Sequence, residues 1–398
     1  MQRNQLMLVV RRQANNIRRL AVVIEANPGS ESGAGAGLQN ASGCSRLTTY
    51  RGRLIKSGMT NHWTAGQTKR SILMAALFAA LLTGFGSWSC SKSDYSGKVE
   101  SVTIGAPALE TNALIYIAGD KGYFERNGLN VTIKEYDSGG AAVPGLLRNE
   151  IDLAIASEFV MVNHILQQRD IRAFGSIDRF ENMFVIARKD RKIGKVTDLK
   201  NRTIGVPLGT IAAFYLGRYL TLHGLRPADI TILNVRPDYS ADALAAENID
   251  AVVTWHPYLD RIKARYGGDV IVWPIQSSQL TYWNIIGGAD WTGAHRETIN
   301  RFLRSISKAE EYASLHPEET KAVVKKRLGY NDAYIAKVWG DNLFSLSLDR
   351  GLIAAMEDEA RWMIKSNLTS ERKVPDFLGY IYLDALKAIK PEVVSIIR

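Results

Sequence analysis

Cysteine is almost missing from this sequence. Only Cys44 and Cys90 occur among 398 residues, so no disulfide framework braces the chain and no thiolate-rich metal site can form. The six histidines (His62, His164, His223, His256, His295, His316) are scattered, with no His-x-x-His or Glu-x-x-His spacing. That argues against a zinc or iron centre. Glycine is common, yet no Gly-Lys-Ser/Thr closes a glycine run and no G-x-G-x-x-G follows a strand, so the chain is not expected to hydrolyse ATP. No Gly-x-Ser-x-Gly elbow is present either, which removes the commonest serine-hydrolase signature. These absences imply no metal, no cofactor and no obvious nucleophile.

The charge balance is +10, which by itself would suggest a polyanion partner. Its distribution says otherwise. Residues 1–89 hold eleven Lys/Arg and two acids, leaving 39 of the 50 basic and 38 of the 40 acidic residues beyond position 89. A nearly neutral body has no field for binding nucleic acid.

The leader itself is informative. Lys69-Arg70 precede the uncharged run SILMAALFAALLTGFGSW, and Ser89-Cys90-Ser91 close it. Cations, an apolar core and small residues in that order are the layout of an export signal. A cysteine ending it is similar to a bacterial lipobox, with Cys90 as the lipidated mature N-terminus. Ser87 stands where Leu is usual, and bulky Trp88 follows. A single membrane anchor is the alternative, since no residue from Ser71 to Ser91 is charged and a span needs about 20 apolar residues. Met59 lies where a signal of ordinary length would begin. The expected division is a non-native or disordered extension at 1–58, a signal peptide at 59–89, and a polar tether at 90–99.

From Glu100 the pattern becomes regular. ESVTIGAPA, LNVTIKEYD, IDLAIA, IRAFGSI and NMFVIARK read as strands, and ALIYIAGDKGYFERNG and SEFVMVNHILQQ as helices. The same order recurs after Asp190: RTIGVPL, ITILNVRP, IDAVVTW and VIVWPI as strands, with helices between. YWNIIGG is one more strand, and helices dominate the remainder. Alternation of this kind predicts an α/β fold with mainly parallel sheets.

One run carries a family resemblance. Gly209-Thr210 opens a long helix, Gly224-Leu225-Arg226-Pro227-Ala228-Asp229 makes a turn, and Asn234-Val235-Arg236-Pro237 follows. Asp250-Ala251 then precedes Trp255-His256-Pro257-Tyr258, while Lys121-Gly122-Tyr123-Phe124 and Glu150-Ile151-Asp152-Leu153-Ala154 lie upstream. Together they resemble the solute-binding proteins of ABC importers for nitrate, sulfonates, taurine and thiamine-type pyrimidines, over about Glu100 to Leu303. Asn248 replaces a usual Gly, and His256 stands where the family often has an acid.

The resemblance implies a two-lobed periplasmic-binding-protein fold of type II, two doubly wound lobes joined by two crossover strands. Lobe one would be 100–189 with 281–398 and lobe two 190–280, with crossings near Lys189–Lys192 and Ser277–Tyr282. It also implies a monomeric, exported, lipid-anchored protein that passes a small solute to a permease and its ATPase. Three helices would aim their N-termini at the cleft, after Ser138-Gly139-Gly140, at Ser157-Glu158 and after Gly209-Thr210. Free amides at such termini hold anions without a charged side chain. Ordinary capping is the competing explanation for Ser138, Ser157 and Thr210.

Glu158 and Glu110 could pair with a ligand ammonium, or simply complement a helix dipole. Trp255 could floor the pocket or fill the core; Tyr215, Tyr239 and Trp283 are lesser candidates. The implied ligand is alkanesulfonate or taurine first and nitrate next, with a pyrimidine precursor of thiamine as the alternative. A pyrimidine synthase of the same fold would need a cysteine-rich motif, and a LysR-type regulator would need an N-terminal helix-turn-helix. Neither is present.

Overall fold

The computed structural model describes residues 95–397, so the expected extension, signal segment and lipidation at Cys90 lie outside the described residues. Val102 and Ile104 point inward from a strand whose alternate residues are more exposed, which forms β1 (Glu100–Ala106). A tight turn at 110–112 leads into α1 (Ala113–Asp120) and α2 (Tyr123–Arg126). The chain continues through β2 (Leu129–Glu135), α3 (Gly139–Leu147), β3 (Leu153–Ser157), α4 (Glu158–Leu166) and β4 (Ile171–Phe180). Every residue of β3 is buried, as befits a strand covered on both faces.

Next come β5 (Phe184–Arg188), β6 (Thr203–Val206), α5 (Ala212–Leu222), β7 (Thr231–Asn234), α6 (Ser240–Ala245), β8 (Ala251–Thr254) and α7 (Tyr258–Tyr266). They are followed by β9 (Val270–Pro274) and β10 (Thr281–Gly288). The chain then turns helical: α8 (Ala289–Ala294), α9 (Arg296–Leu315), α10 (Pro317–Leu328), α11 (Asp332–Trp339), α12 (Arg350–Lys365) and α13 (Leu383–Ile389). None of the described helices is long and apolar enough to cross a membrane.

The strands make two five-stranded sheets, in the orders β2-β1-β3-β10-β4 and β7-β6-β8-β5-β9. In each, one strand runs against the others: β10 is antiparallel to β3 and β4, and β5 to β8 and β9. Each sheet centres one lobe, so the chain crosses between lobes twice, at 181–183 and 275–280. The first crossing corrects the expected division. NMFVIARK has the right composition for a strand, but nothing in an apolar run says which sheet receives it. Ile186 settles against Val235, Val252, Leu259 and Ile262, so β5 belongs to the second sheet.

Helix α9 shows how the first lobe is sealed. Ile299, Phe302, Leu303 and Ile306 fall on one helical face and are all buried, with Phe302 stacked on Phe124 at 5.2 Å. Arg301 on the same helix is 3% exposed, bonds Glu100 Oε2 at 2.6 Å and donates to the Gly128 carbonyl at 3.2 Å. The lobes also touch each other. Phe214 of α5 packs against Phe159 and Trp362, Arg236 pairs with Asp137 at 3.0 Å, and Lys337 pairs with Asp260. These contacts describe a closed pair of lobes.

Candidate functional site

In doubly wound sheets, ligands gather beyond the carboxyl ends of the strands, where loops diverge. The cavity lies there, with about 440 Å³ of atom-free space when its solvent-open mouth is included. Pro107, Leu109 and Thr111 follow β1, Ser138 to Gly140 follow β2, and Ser157 ends β3. From the second lobe come Thr210 and Ile211 after β6 and Trp255 after β8. Phe180 ends β4, Asn182 and Met183 enter from the first crossing, Trp283 from β10 and Val160 from α4. Its walls are mostly apolar, and no charged side chain lines it among the described residues.

Two of the three hydroxyls expected here already work locally. Ser138 Oγ accepts from the Ala141 amide at 3.2 Å and caps α3. Thr210 Oγ1 donates to the Pro207 carbonyl at 2.7 Å and accepts from the Ala212 amide at 3.3 Å. Ser157 makes no capping bond at the start of α4. Gly140 is a place of close approach: a Cβ there would lie 2.6 Å from the Gly209 carbonyl oxygen of the opposite lobe.

Three polar groups on the wall are buried and lack any partner: Thr111 Oγ1, Asn182 Oδ1 and the Trp255 indole nitrogen. Their residues are 1%, 3% and 5% exposed. A buried polar atom left unpaired costs about 1–3 kcal/mol, so three around one cavity mark where a ligand would supply the missing bonds. Trp283 makes the contrast. Its indole N–H donates to Asn112 Oδ1 at 2.8 Å, so it offers the cavity only a ring face, set edge-on to Phe180 at 5.7 Å. Among the wall residues that pattern reading misses or ranks low are Thr111 and Asn182, which sit in a short loop and a crossing without periodicity, and Trp283 of β10.

Other expected site residues lie elsewhere. Glu110 is 1% exposed and off the wall; its carboxylate accepts from the Tyr330 hydroxyl at 3.1 Å, and burial pushes its pKa up. Glu158 also turns away. Its Oε2 accepts from the Tyr282 amide at 3.1 Å, and burial pushes its carboxyl to about 8. Gly209 adopts φ 79° and contributes its carbonyl opposite Gly140 rather than wall surface. His256 is buried: its Nδ1 meets Asp260, and its ring lies edge-on to Phe184 at 5.4 Å. Tyr239 is 49% exposed, and Tyr215 bonds Thr281 Oγ1 at 3.0 Å at the start of β10.

Similarity to known proteins follows the same line. An aliphatic sulfonates-binding protein proposed in Bacillus subtilis (strain 168) is 25% identical over 253 residues, covering 62% of this chain and 74% of that protein. The taurine-binding periplasmic protein of Escherichia coli (strain K12) is 23% identical over 264 residues, covering 65% and 76% respectively. Among solved structures, the alkanesulfonate-binding protein of Xanthomonas axonopodis pv. citri, bound to MOPS, superposes with a TM-score of 0.64 at 18% identity. It covers 72% of this chain and 100% of that one, a likeness that establishes the periplasmic-binding-protein fold. The family described as NMT1/THI5 like matches residues 111–320. With more than half of its length matched, two sheets of this topology and a cavity at their shared switch point, the chain belongs to the NMT1/THI5-like family.

Proposed function

We propose that this protein captures a small organic monoanion with an apolar tail, of the alkanesulfonate class, between its lobes and passes it to an ABC permease. The observation that carries this reading is the cavity wall: unpaired donors at Trp255 and Thr111, the helix start at 139, apolar sides, and no charged group. Amides and hydroxyls suit a single negative charge. The apolar sides favour a tail, which nitrate lacks. Taurine is disfavoured because Glu110 and Glu158 face elsewhere, leaving its ammonium without a counter-charge. The taurine- and sulfonate-binding relatives support the solute-binding role. Attachment through Cys90 at the outer membrane face, monomeric action and the permease with its ATPase belong to the same proposal. So does the absence of catalysis.

A pyrimidine precursor of thiamine is the second reading. Asn182 Oδ1 favours it, since an acceptor on the wall suits a ligand amino group, and Phe180, Trp255 and Trp283 provide rings for packing.

Calorimetry with methane-, butane- and octanesulfonate, taurine, nitrate and an aminopyrimidine tests the ranking. Butanesulfonate is expected to bind at least about tenfold tighter than taurine, and nitrate to give no heat. Taurine or nitrate outranking butanesulfonate would sink the reading. Trp255→Phe is expected to weaken butanesulfonate about 10–100-fold. Without solute its melting temperature is expected to stay level or rise, because the variant removes an unpaired buried donor.

A further inference from the structure

Between β4 and β5 the chain leaves one sheet and has not yet joined the other, so the amides of Asn182 and Met183 have no ladder to enter. Buried amides in that position need a partner. One side chain supplies it. Gln276, 1% exposed in the second crossing, accepts from the Asn182 amide at 2.7 Å and the Met183 amide at 2.9 Å through Oε1. Its Nε2 donates to the Phe180 carbonyl at 3.0 Å and the Gln279 carbonyl at 2.8 Å. All four bonding capacities of the amide are thereby used. The two N–H groups on one side and two carbonyls on the other also fix which way the amide points.

Two further facts give this bond set a functional position. Phe180, Asn182 and Met183 all line the cavity, and Asn182 presents its unpaired Oδ1 there. On the far side, Ser277 and Ser278 sit at φ 51° and 65°. Consecutive left-handed non-glycine residues persist only where their surroundings hold them, and the Gln276 bond to the Gln279 carbonyl spans them.

We propose that Gln276 is a positioning residue which, without lining the cavity, ties the Phe180–Asn182–Met183 wall to the strained second crossing and so couples solute seating to the hinge. The proposal rests on the reading that the cavity takes a solute, and it adds the element that transmits occupancy to the lobes. Moving Asn182 or its neighbours must load the crossings through Gln276, and a change in lobe angle must move the wall by the same bonds.

Gln276→Glu keeps the acceptor but, when ionised, sets a carboxylate against two carbonyls. Burial beside those carbonyls raises the pKa of the new carboxyl, so its neutral form, which restores one donor, returns as pH falls. Butanesulfonate affinity is therefore expected to fall about 30-fold relative to the parent at pH 8 and to recover to within about threefold at pH 5. A role confined to folding would not produce that reversible pH profile. Gln276→Leu removes every bond. Hydrogen exchange of the solute-free full chain is expected to quicken at the 182 and 183 amides and across 275–281, while β1 and β3 keep their protection. A pH-independent ratio near one in the Glu variant overturns the coupling, and so does exchange loss spread evenly over both lobes in the Leu variant. If butanesulfonate fails to bind the parent, the sulfonate reading fails, and the exchange pattern alone decides the role of Gln276.

Discussion

Replacing Gly140 with valine is expected to lower butanesulfonate affinity at least about 100-fold, with the solute-free melting temperature shifted by no more than about 3 °C. The reason is where the new carbon would go. At Gly140 it meets the Gly209 carbonyl oxygen at 2.6 Å, across the cleft and beside the cavity, so valine collides with closure rather than with folding. If the closed form drops to about one part in a hundred, apparent affinity falls by the same factor. The neighbouring glycine behaves differently. A Cβ at Gly139 would lie 2.7 Å from Ala156 Cα and 2.8 Å from the Ile155 carbonyl oxygen, both within the same lobe. Gly139→Ala is therefore an overpacking change, expected to cost about 1–3 kcal/mol of stability. Calorimetric titration and scanning calorimetry of both variants separate the effects. Normal binding by the Gly140 variant would mean that the lobes need not approach this closely to hold the solute.

The second large effect concerns α9 and is asymmetric. Arg301 is 3% exposed, whereas the Glu100 side chain it pairs with is 39% exposed. Glu100→Ala leaves the buried guanidinium with only the exposed Glu297 carboxylate, at 4.0 Å, as counter-charge, which costs up to about 3–5 kcal/mol. Arg301→Met leaves a carboxylate that water can reach and keeps the apolar packing, so about 1–2 kcal/mol is expected. Denaturant midpoints for the two variants measure the difference, and the reverse order would contradict this account. Acid gives an independent check. The Thr298 hydroxyl, opposed by partial burial and helped by the charge of Arg301, holds Glu100 below its ordinary pKa. A depressed folded-state pKa contributes stability above the unfolded value and loses it as pH falls through the folded one. The parent is expected to lose that stability on acidification, and Glu100→Ala is not.

Much of the architecture was legible because it rests on local pattern. Val102 and Ile104 alternate as a strand should, and Ile299, Phe302, Leu303 and Ile306 keep helical spacing, so periodicity alone predicts their elements. The destination of β5 was not legible, since its pairing with β8 and β9 depends on residues up to 90 positions away. The site divides in the same way. Ser138, Gly139, Gly140, Ser157, Thr210 and Trp255 stand at strand ends, where the fold itself brings residues to the cavity, and all six line it. The acids misled. An acid at the start of a helix can face solvent, ligand or core, and only packing turned Glu110 toward Tyr330 and Glu158 toward Tyr282. Asn182 and Gln276 carry no sequence signal, because their importance lies in bonds between two crossings distant in the chain.

A wall built of dipoles without a formal charge has a consequence for the medium in which such a protein works. Hydroxyls, an indole N–H and helix-start amides act over a few ångströms, and a mostly apolar cavity between two lobes in contact leaves little room for dissolved ions to weaken them. Nor does a nearly neutral surface draw anions in from afar. Both the capture rate and the dissociation constant are expected to change less than about threefold between roughly 10 mM and 0.5 M sodium chloride, so the grip would be the same in fresh water and in brine.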